Sequence, residues 1–153
     1  MNRLLDVYRT ICENDIFYFE RPLPFSGGNT AAVTVETNGA YGIFVDPGRT
    51  KSCAERAVTV AHEVGHCMTG ATHALYSPLE LIQKHEYRAD KWAIHKLIPK
   101  HELDAAIAAG CTETWELAEH FEVTEDFMCK AIRLYKNDNP IMQSIAYKGR
   151  RNG

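Results

Sequence analysis

Residues 52–69 read SCAERAVTVAHEVGHCMT, and this stretch decides the fold because it predicts a helix with both ends marked. Ser52 and Glu55 have the spacing of a capping box, in which the two side chains bond backbone N–H groups of the first turn. Gly70 follows the last residue, and glycine commonly ends a helix because it adopts the left-handed conformation without strain. The pattern therefore predicts one helix that ends at Gly70.

The second half of this helix contains the motif H-E-x-x-H, as His62-Glu63-Val64-Gly65-His66. Four residues rotate a helix by about 400°, so the two histidines project from one face, one turn apart. This spacing suits two imidazoles that bind one zinc ion. Glu63 is rotated by about 100° from His62, which places it near the metal without aiming it there. We therefore predict that His62 and His66 are metal ligands and that Glu63 is a general base.

A catalytic zinc ion takes three protein ligands and keeps one position open for water. The metzincin motif would need glycine at position 69 and histidine at position 72, and both positions are threonine. The gluzincins instead take a glutamate from the next helix, and Glu86 lies 20 residues after His66. This spacing resembles the thermolysin-type enzymes. The candidates for the third ligand are His73, Glu80, His85, Glu86 and Asp90.

Glu86 and Asp90 are four residues apart and therefore share one face of a helix. Glu86 can bind the metal, while Asp90 can accept the free N–H of a ligating histidine and fix its tautomer. His85 would point to a different face and is expected to be exposed. Cys67 is rotated by about 100° from His66, so we interpret it as a small buried residue and not as a ligand.

The remaining elements are predicted from apolar spacing and turn residues. Residues 3–14 have the period of an amphipathic helix, and residues 16–19 form a short aromatic run that suits a strand. Residues 30–37 and 40–46 read as strands that are joined by Asn38-Gly39, a strong hairpin signal. Ser77 is predicted to cap a helix that starts with Pro78 and ends before Pro99. Three shorter helices are predicted over residues 101–109, 113–121 and 124–136, the last capped by Thr124.

This order predicts an α+β fold: a small antiparallel sheet with an N-terminal helix, the metal-binding helix packed on the sheet, and a C-terminal helical part. The 153 residues fit one domain. We place its boundaries at residues 1–137, with a catalytic core over 1–98 and C-terminal helices over 99–137. Residues 138–153 have no clear periodicity and are expected to form a flexible tail.

Composition restricts the class of protein and its compartment. A net charge of -3 and an acidic run over residues 113–126 argue against direct binding of nucleic acid. The cysteine count is odd, at five, and no CxxC pair occurs, so reduced thiols in the cytoplasm are the simplest interpretation. We find neither a signal peptide nor an apolar run of the ~18 residues that a membrane span needs, so no membrane partner is expected.

Two motifs resemble the ImmA/IrrE family of bacterial and phage metallopeptidases. The first is AHEVGHCMTG, and the second is HEYRADKWAIHKLIP over residues 85–99. WELAEHFEVTEDFMCKAI is also similar to the helical C-terminal part of that family, so the resemblance spans residues 40–135. The second motif of the family, E-x-x-A-[N/D/S]-x-[F/W]-A followed by an apolar pair and proline, is matched by Glu86, Ala89, Asp90, Trp92, Ala93, Leu97, Ile98 and Pro99.

The resemblance implies zinc, with manganese as a possible substitute, on His62, His66 and Glu86, and it implies Glu63 as the general base. It also implies a protein substrate: a helix-turn-helix transcriptional repressor, encoded by a phage, a mobile element or a stress locus and cut at a defined place. The alternatives are a zinc-bearing module that inactivates its repressor partner by association, and a zinc hydrolase of another substrate. An intact Glu63 argues against a purely structural zinc site, which has no use for a general base.

Two points of mechanism stay open in the sequence. The oxyanion of the reaction needs a hydrogen-bond donor besides the metal, and Tyr41, His73, Tyr76 and His101 are all candidates. The strand around residues 42–44 precedes the metal-binding helix, and we consider that it offers a free edge to an extended substrate, or else packs as an ordinary hairpin strand.

Overall fold

The chain forms six α-helices and one three-stranded sheet within residues 2–24, 30–72 and 77–138, which are the residues that the computed structural model describes. The α+β prediction is confirmed. The predicted tail lies outside the described residues from position 139 onwards, and the proposed division into 1–98 and 99–137 stays a prediction. The elements are α1 Arg3–Glu13, β1 Phe17–Glu20, β2 Ala32–Thr37, β3 Ala40–Val45, a 3-10 turn Pro47–Arg49, α2 Cys53–Thr69, α3 Leu79–Leu97, α4 Lys100–Ala108, α5 Thr114–His120 and α6 Glu125–Asp138.

The sheet is mixed, with the strand order β1-β3-β2. β2 and β3 pair antiparallel through the predicted turn, where Asn38 and Gly39 have φ values of 53° and 79°. β1 pairs parallel with β3, so the prediction of a wholly antiparallel sheet is wrong. β1 and β2 are the two outer strands, and β3, which follows β2 in the hairpin, lies between them. A local turn signal fixes the hairpin, but it contains no information about the edge that β1 joins.

The central position of β3 excludes the first of the two alternatives for residues 42–44, a free edge, and agrees with the second, an ordinary hairpin strand. Their backbone groups face β1 on one side and β2 on the other. Ile43 is also fully buried, so this part of β3 belongs to the core. The sheet edge beside α2 belongs to β2.

The ends of α2 match their predicted signals. The Ser52 hydroxyl accepts from the Glu55 backbone N–H at 3.1 Å, and the Glu55 carboxylate accepts from the Lys51 N–H at 2.5 Å. Gly70 ends the helix with a φ of 62°. The start of α3 differs from its prediction, because Pro78, with ψ at 143°, occupies the cap position and no side chain caps the helix. Ser77 is therefore not the cap, and the helix begins one residue later than its sequence signal indicated.

Gly65 brings α2 and α3 unusually close together. A Cβ atom at this position would lie 2.5 Å from the carbonyl oxygen of Ala89 and 2.9 Å from its Cα, so only glycine fits. The contact joins the centre of the H-E-x-x-H motif to the stretch of α3 between Glu86 and Asp90. The two helices are thereby held at the distance at which their polar side chains meet. α2 also contacts β2 and β3 of the sheet, and its Val60 and Val64 are fully buried in the core.

Candidate metal centre

Three donor atoms converge between α2 and α3. The Nε2 atoms of His62 and His66 are 3.1 Å apart, and the Glu86 carboxylate lies 3.1 Å from the first and 3.3 Å from the second. A tetrahedral metal with bonds of about 2.0 Å separates its ligands by about 3.3 Å. The spacing of the three donors therefore fits a zinc ion, and His62, His66 and Glu86 form the candidate metal group within the described residues.

The hydrogen bond made by the second ring nitrogen, Nδ1, determines the tautomer of each histidine. His62 Nδ1 lies 2.8 Å from the Asp90 carboxylate, and His66 Nδ1 lies 2.7 Å from the carbonyl oxygen of Ala71. Both partners only accept hydrogen bonds, so each Nδ1 donates and each neutral imidazole has its lone pair on Nε2. Two lone pairs and a carboxylate oxygen thus point at one place. Such an arrangement is repulsive unless a cation, a metal ion or a proton, lies among them.

The charges of the site favour a cation. Burial lowers the pKa of His62, but its hydrogen bonds with Asp90 and Glu86 outweigh burial and raise this pKa to about 10. The same two histidines hold the pKa of Glu86 far below its usual range. In the metal-free chain, protons therefore supply the positive charge that the carboxylates require. A divalent metal would replace them, so metal uptake releases protons.

Glu63 lies beside this group and lines the same cleft, which has a volume of about 430 Å³. The residue is buried, with 9% of its surface exposed. Its Oε2 atom accepts a hydrogen bond of 2.5 Å from the Thr34 hydroxyl. This bond leaves the other carboxylate oxygen available to a water molecule or substrate in the cleft. The placement suits the predicted role of a general base.

Asp90 connects the centre to the C-terminal helices. While its Oδ1 atom faces His62, its Oδ2 atom accepts from Lys130 Nζ of α6 at 2.9 Å. The sequence predicted the pairing of Asp90 with a histidine, since both lie at fixed positions on neighbouring helices. It did not predict Thr34, Lys130 or the Ala71 carbonyl as partners, because these contacts depend on tertiary packing and no spacing rule identifies them.

Two other candidates for the third ligand, Glu80 and His85, are outside the converging group, and His73 is not among the described residues. Glu80 lies in the first turn of α3 and His85 is half-buried, and neither belongs to the set of donors. Cys67 is buried, and burial raises the pKa of its thiol to about 11, which agrees with its interpretation as a small buried residue.

The candidates for stabilising the oxyanion remain predictions. The Tyr41 hydroxyl lies at the end of α2, 4.0 Å from where a Cβ of Gly70 would be. His101 is exposed on α4 and interacts with Glu102. Neither residue lines the described cleft around the metal group. His73 and Tyr76 lie outside the described residues.

We predict that Asp90→Asn weakens metal binding by about 10- to 100-fold, because His62 loses the carboxylate that fixes its tautomer and raises its basicity. Competition with a coloured chelator measures the affinity directly. Asp104→Asn, which removes an exposed carboxylate on α4, serves as the control and should leave the affinity unchanged. Equal affinity in Asp90→Asn and the wild type would show that Asp90 does not support the ligand.

Comparison with known proteins connects this geometry to a family. A family model described as the IrrE N-terminal-like domain, a family of peptidases, matches residues 21–133. The chain belongs to the IrrE N-terminal-like family. The resemblance read from the two motifs is thereby confirmed. No curated protein and no solved structure matches the chain significantly.

Membership in the IrrE N-terminal-like family makes the protein a peptidase of the metallo type, which acts on protein and requires a metal ion. The matched residues include all three converging donors, Glu63 and Asp90. Among the described residues, no helix has the length and apolar character needed to cross a membrane.

Proposed function

We propose that the protein is a zinc-dependent endopeptidase in which His62, His66 and Glu86 hold the metal and Glu63 is the general base. The observation that carries this proposal is the convergence of two lone pairs and a carboxylate on one point, with the Nδ1 atom of each histidine already used. Imidazole and carboxylate ligands also accept manganese, but zinc binds such sites more tightly.

A bound zinc ion supplies Lewis acidity, which brings the pKa of water towards ~7 and polarises the scissile carbonyl. The residues of the chain move the proton. Glu63 takes a proton from the attacking water through the oxygen that Thr34 leaves available, and it then delivers that proton to the leaving amine. His62 and His66 keep their orientation throughout, because Asp90 and the Ala71 carbonyl hold their Nδ1 atoms.

We further propose that the substrate is a helix-turn-helix repressor, as the family resemblance implies. The test is incubation of the purified protein, with zinc or manganese added, with the repressor encoded next to its gene. Discrete fragments, identified by mass, would establish cleavage and give the site. A stable complex without fragments, with the metal shown to be bound, would favour the alternative of a zinc-bearing module that inactivates its partner by association.

Among the described residues, no strand pairs with β2 on the side away from β3, and this edge provides a surface along which an extended substrate can pair. The Asp46 N–H donates to the Ala31 carbonyl at 2.8 Å, which makes these two residues a hydrogen-bonded pair. Such pairs alternate along an antiparallel ladder. The backbone groups of Ala32, Thr34 and Glu36 therefore point away from β3 and towards the open edge. Ala32 and Thr34 also line the cleft that contains Glu63.

We predict that Glu36→Pro reduces cleavage of an extended substrate by about tenfold, since proline removes an N–H that faces the free edge and leaves the ladder with β3 intact. Glu36→Ala is the matched control, because it removes the same side chain and keeps the N–H. Steady-state cleavage assays and a thermal melt distinguish lost pairing from lost folding. If the proline variant folds and cleaves as well as Glu36→Ala does, substrate does not pair at this position.

A further inference from the structure

We infer that Thr34 is a positioning residue for the reaction: its hydroxyl holds the carboxylate of Glu63 in the orientation that accepts the proton of water. This inference rests on the proposed function, because it assigns Thr34 a role through the general base. Thr34 lies outside the H-E-x-x-H motif, on strand β2 and 28 residues before His62 in the sequence.

The contact between the two residues is short and comes from a rigid element. Thr34 Oγ1 lies 2.5 Å from Glu63 Oε2, whereas the backbone oxygen of Glu63 is 3.2 Å away. A hydroxyl has one proton to donate, and the shorter contact with the carboxylate takes it. Thr34 lies in the middle of β2 opposite Ile43, which is fully buried, so the strand is fixed at this point.

The surroundings of the hydroxyl also favour donation to Glu63. The thiol of Cys67 interacts with Thr34 by a side-chain hydrogen bond. This bond lowers the pKa of the thiol, so in it the Thr34 hydroxyl is the donor and the sulfur the acceptor. Sulfur is a weak acceptor and the Glu63 carboxylate is a strong one at 2.5 Å, so the hydroxyl donates to the carboxylate. Thr72 also lines the cleft, but its hydroxyl donates to the Glu36 carboxylate at 3.1 Å. Of these two threonines, Thr34 is the one that donates to Glu63.

Orientation matters here because the last torsion of a glutamate is broad and has no strong preference of its own. A carboxylate free to rotate presents the wrong edge to water for part of the time. A donor on Oε2 restricts this rotation, so the carboxylate keeps one orientation in the cleft that Glu63 lines. Small misplacements of a reacting group cost up to about 100-fold in rate, so we expect a moderate loss when the donor is removed.

The test compares Thr34→Val, which keeps the β-branched shape without the hydroxyl, with Thr34→Ser, which keeps the hydroxyl. We use the zinc-loaded protein and a synthetic peptide library read by mass spectrometry, followed by kinetics on the peptide that the wild type cleaves best. Thr34→Val should lower kcat by about tenfold with KM and zinc affinity unchanged, and Thr34→Ser should stay within about twofold of the wild type. Thr37→Val, an exposed threonine on the same strand, is the control.

A second measurement does not depend on activity. The carboxylate carbon of Glu63, labelled with ¹³C and assigned by its absence in Glu63→Gln, should change its chemical shift in Thr34→Val and keep it in Thr34→Ser, in the metal-free protein. An unchanged shift, or an unchanged kcat in Thr34→Val, would overturn the inference. A wild type that cleaves no peptide would count against the proposed function, and the shift would still decide whether Thr34 holds Glu63.

Discussion

Glu63→Gln should abolish detectable peptide hydrolysis while zinc remains bound. Glutamine has nearly the same shape as glutamate and still accepts the Thr34 hydrogen bond, but it cannot take a proton from water. General acid–base catalysis contributes about 10²- to 10⁴-fold, so we expect kcat to fall by at least ~100-fold. The zinc affinity should change little, because the three donors come from other side chains. Fragments of a protein substrate, separated by electrophoresis and identified by mass, provide the measurement.

A matched control for this substitution is Glu119→Gln, which neutralises an exposed carboxylate on α5. It changes the net charge of the chain by the same amount and should leave kcat at the wild-type value. Full activity of Glu63→Gln, with zinc bound and contaminating protease excluded, would remove Glu63 from the mechanism. It would also leave the position of Thr34 without a catalytic purpose.

Gly65→Ala should lower both the free energy of unfolding and the affinity for metal. The added methyl group would lie 2.5 Å from the Ala89 carbonyl oxygen, so α2 and α3 must separate. Overpacking of this kind costs about 1 to 3 kcal/mol. Separation also moves Glu86 away from His62 and His66, because the ligands are divided between the two helices. We therefore expect a lower melting temperature and a metal affinity weakened by at least ~10-fold, on the scale seen when ligand support is lost.

Gly42→Ala is the control for this prediction. A Cβ atom at Gly42 would be 3.5 Å from the ring of Phe44, an ordinary contact, so the same chemical change should be nearly neutral. Denaturant unfolding and chelator competition, applied to both variants, measure stability and affinity separately. If Gly65→Ala has the free energy of unfolding and the zinc affinity of the wild type, the close approach of the two helices does not determine the geometry of the metal site.

The parts of the site that could be predicted from sequence are those that depend on one helix at a time. Helical spacing alone places His62 above His66 and Glu86 one turn before Asp90, and the capping residues of α2 define its ends. The Asn38-Gly39 hairpin is similarly local. These features follow from backbone geometry over a few residues, which the order of residues specifies directly.

Contacts between residues that are distant in the sequence could not be predicted. The parallel pairing of β1 with β3 depends on the path of the connection, and the contact of Lys130 with Asp90 spans 40 residues. Thr34 was read only as part of a strand, since an alternating pattern does not show which side chain meets Glu63. Ser77 was misassigned because a serine followed by proline fits a cap in sequence, whereas the backbone at Pro78 starts the helix later.

Two hydrogen bonds between Ala71 and His66 limit where insertions and deletions can occur in this part of the chain. Its N–H donates to the carbonyl of His66 at 3.1 Å, and its own carbonyl accepts from the ring of the same histidine at 2.7 Å. The six residues from His66 to Ala71 thus form a closed ring with the imidazole, and an insertion or deletion within them would break these hydrogen bonds. We therefore expect changes of length between the two ligand-bearing helices to be tolerated only beyond residue 71, where they leave the orientation of the His66 ring unchanged.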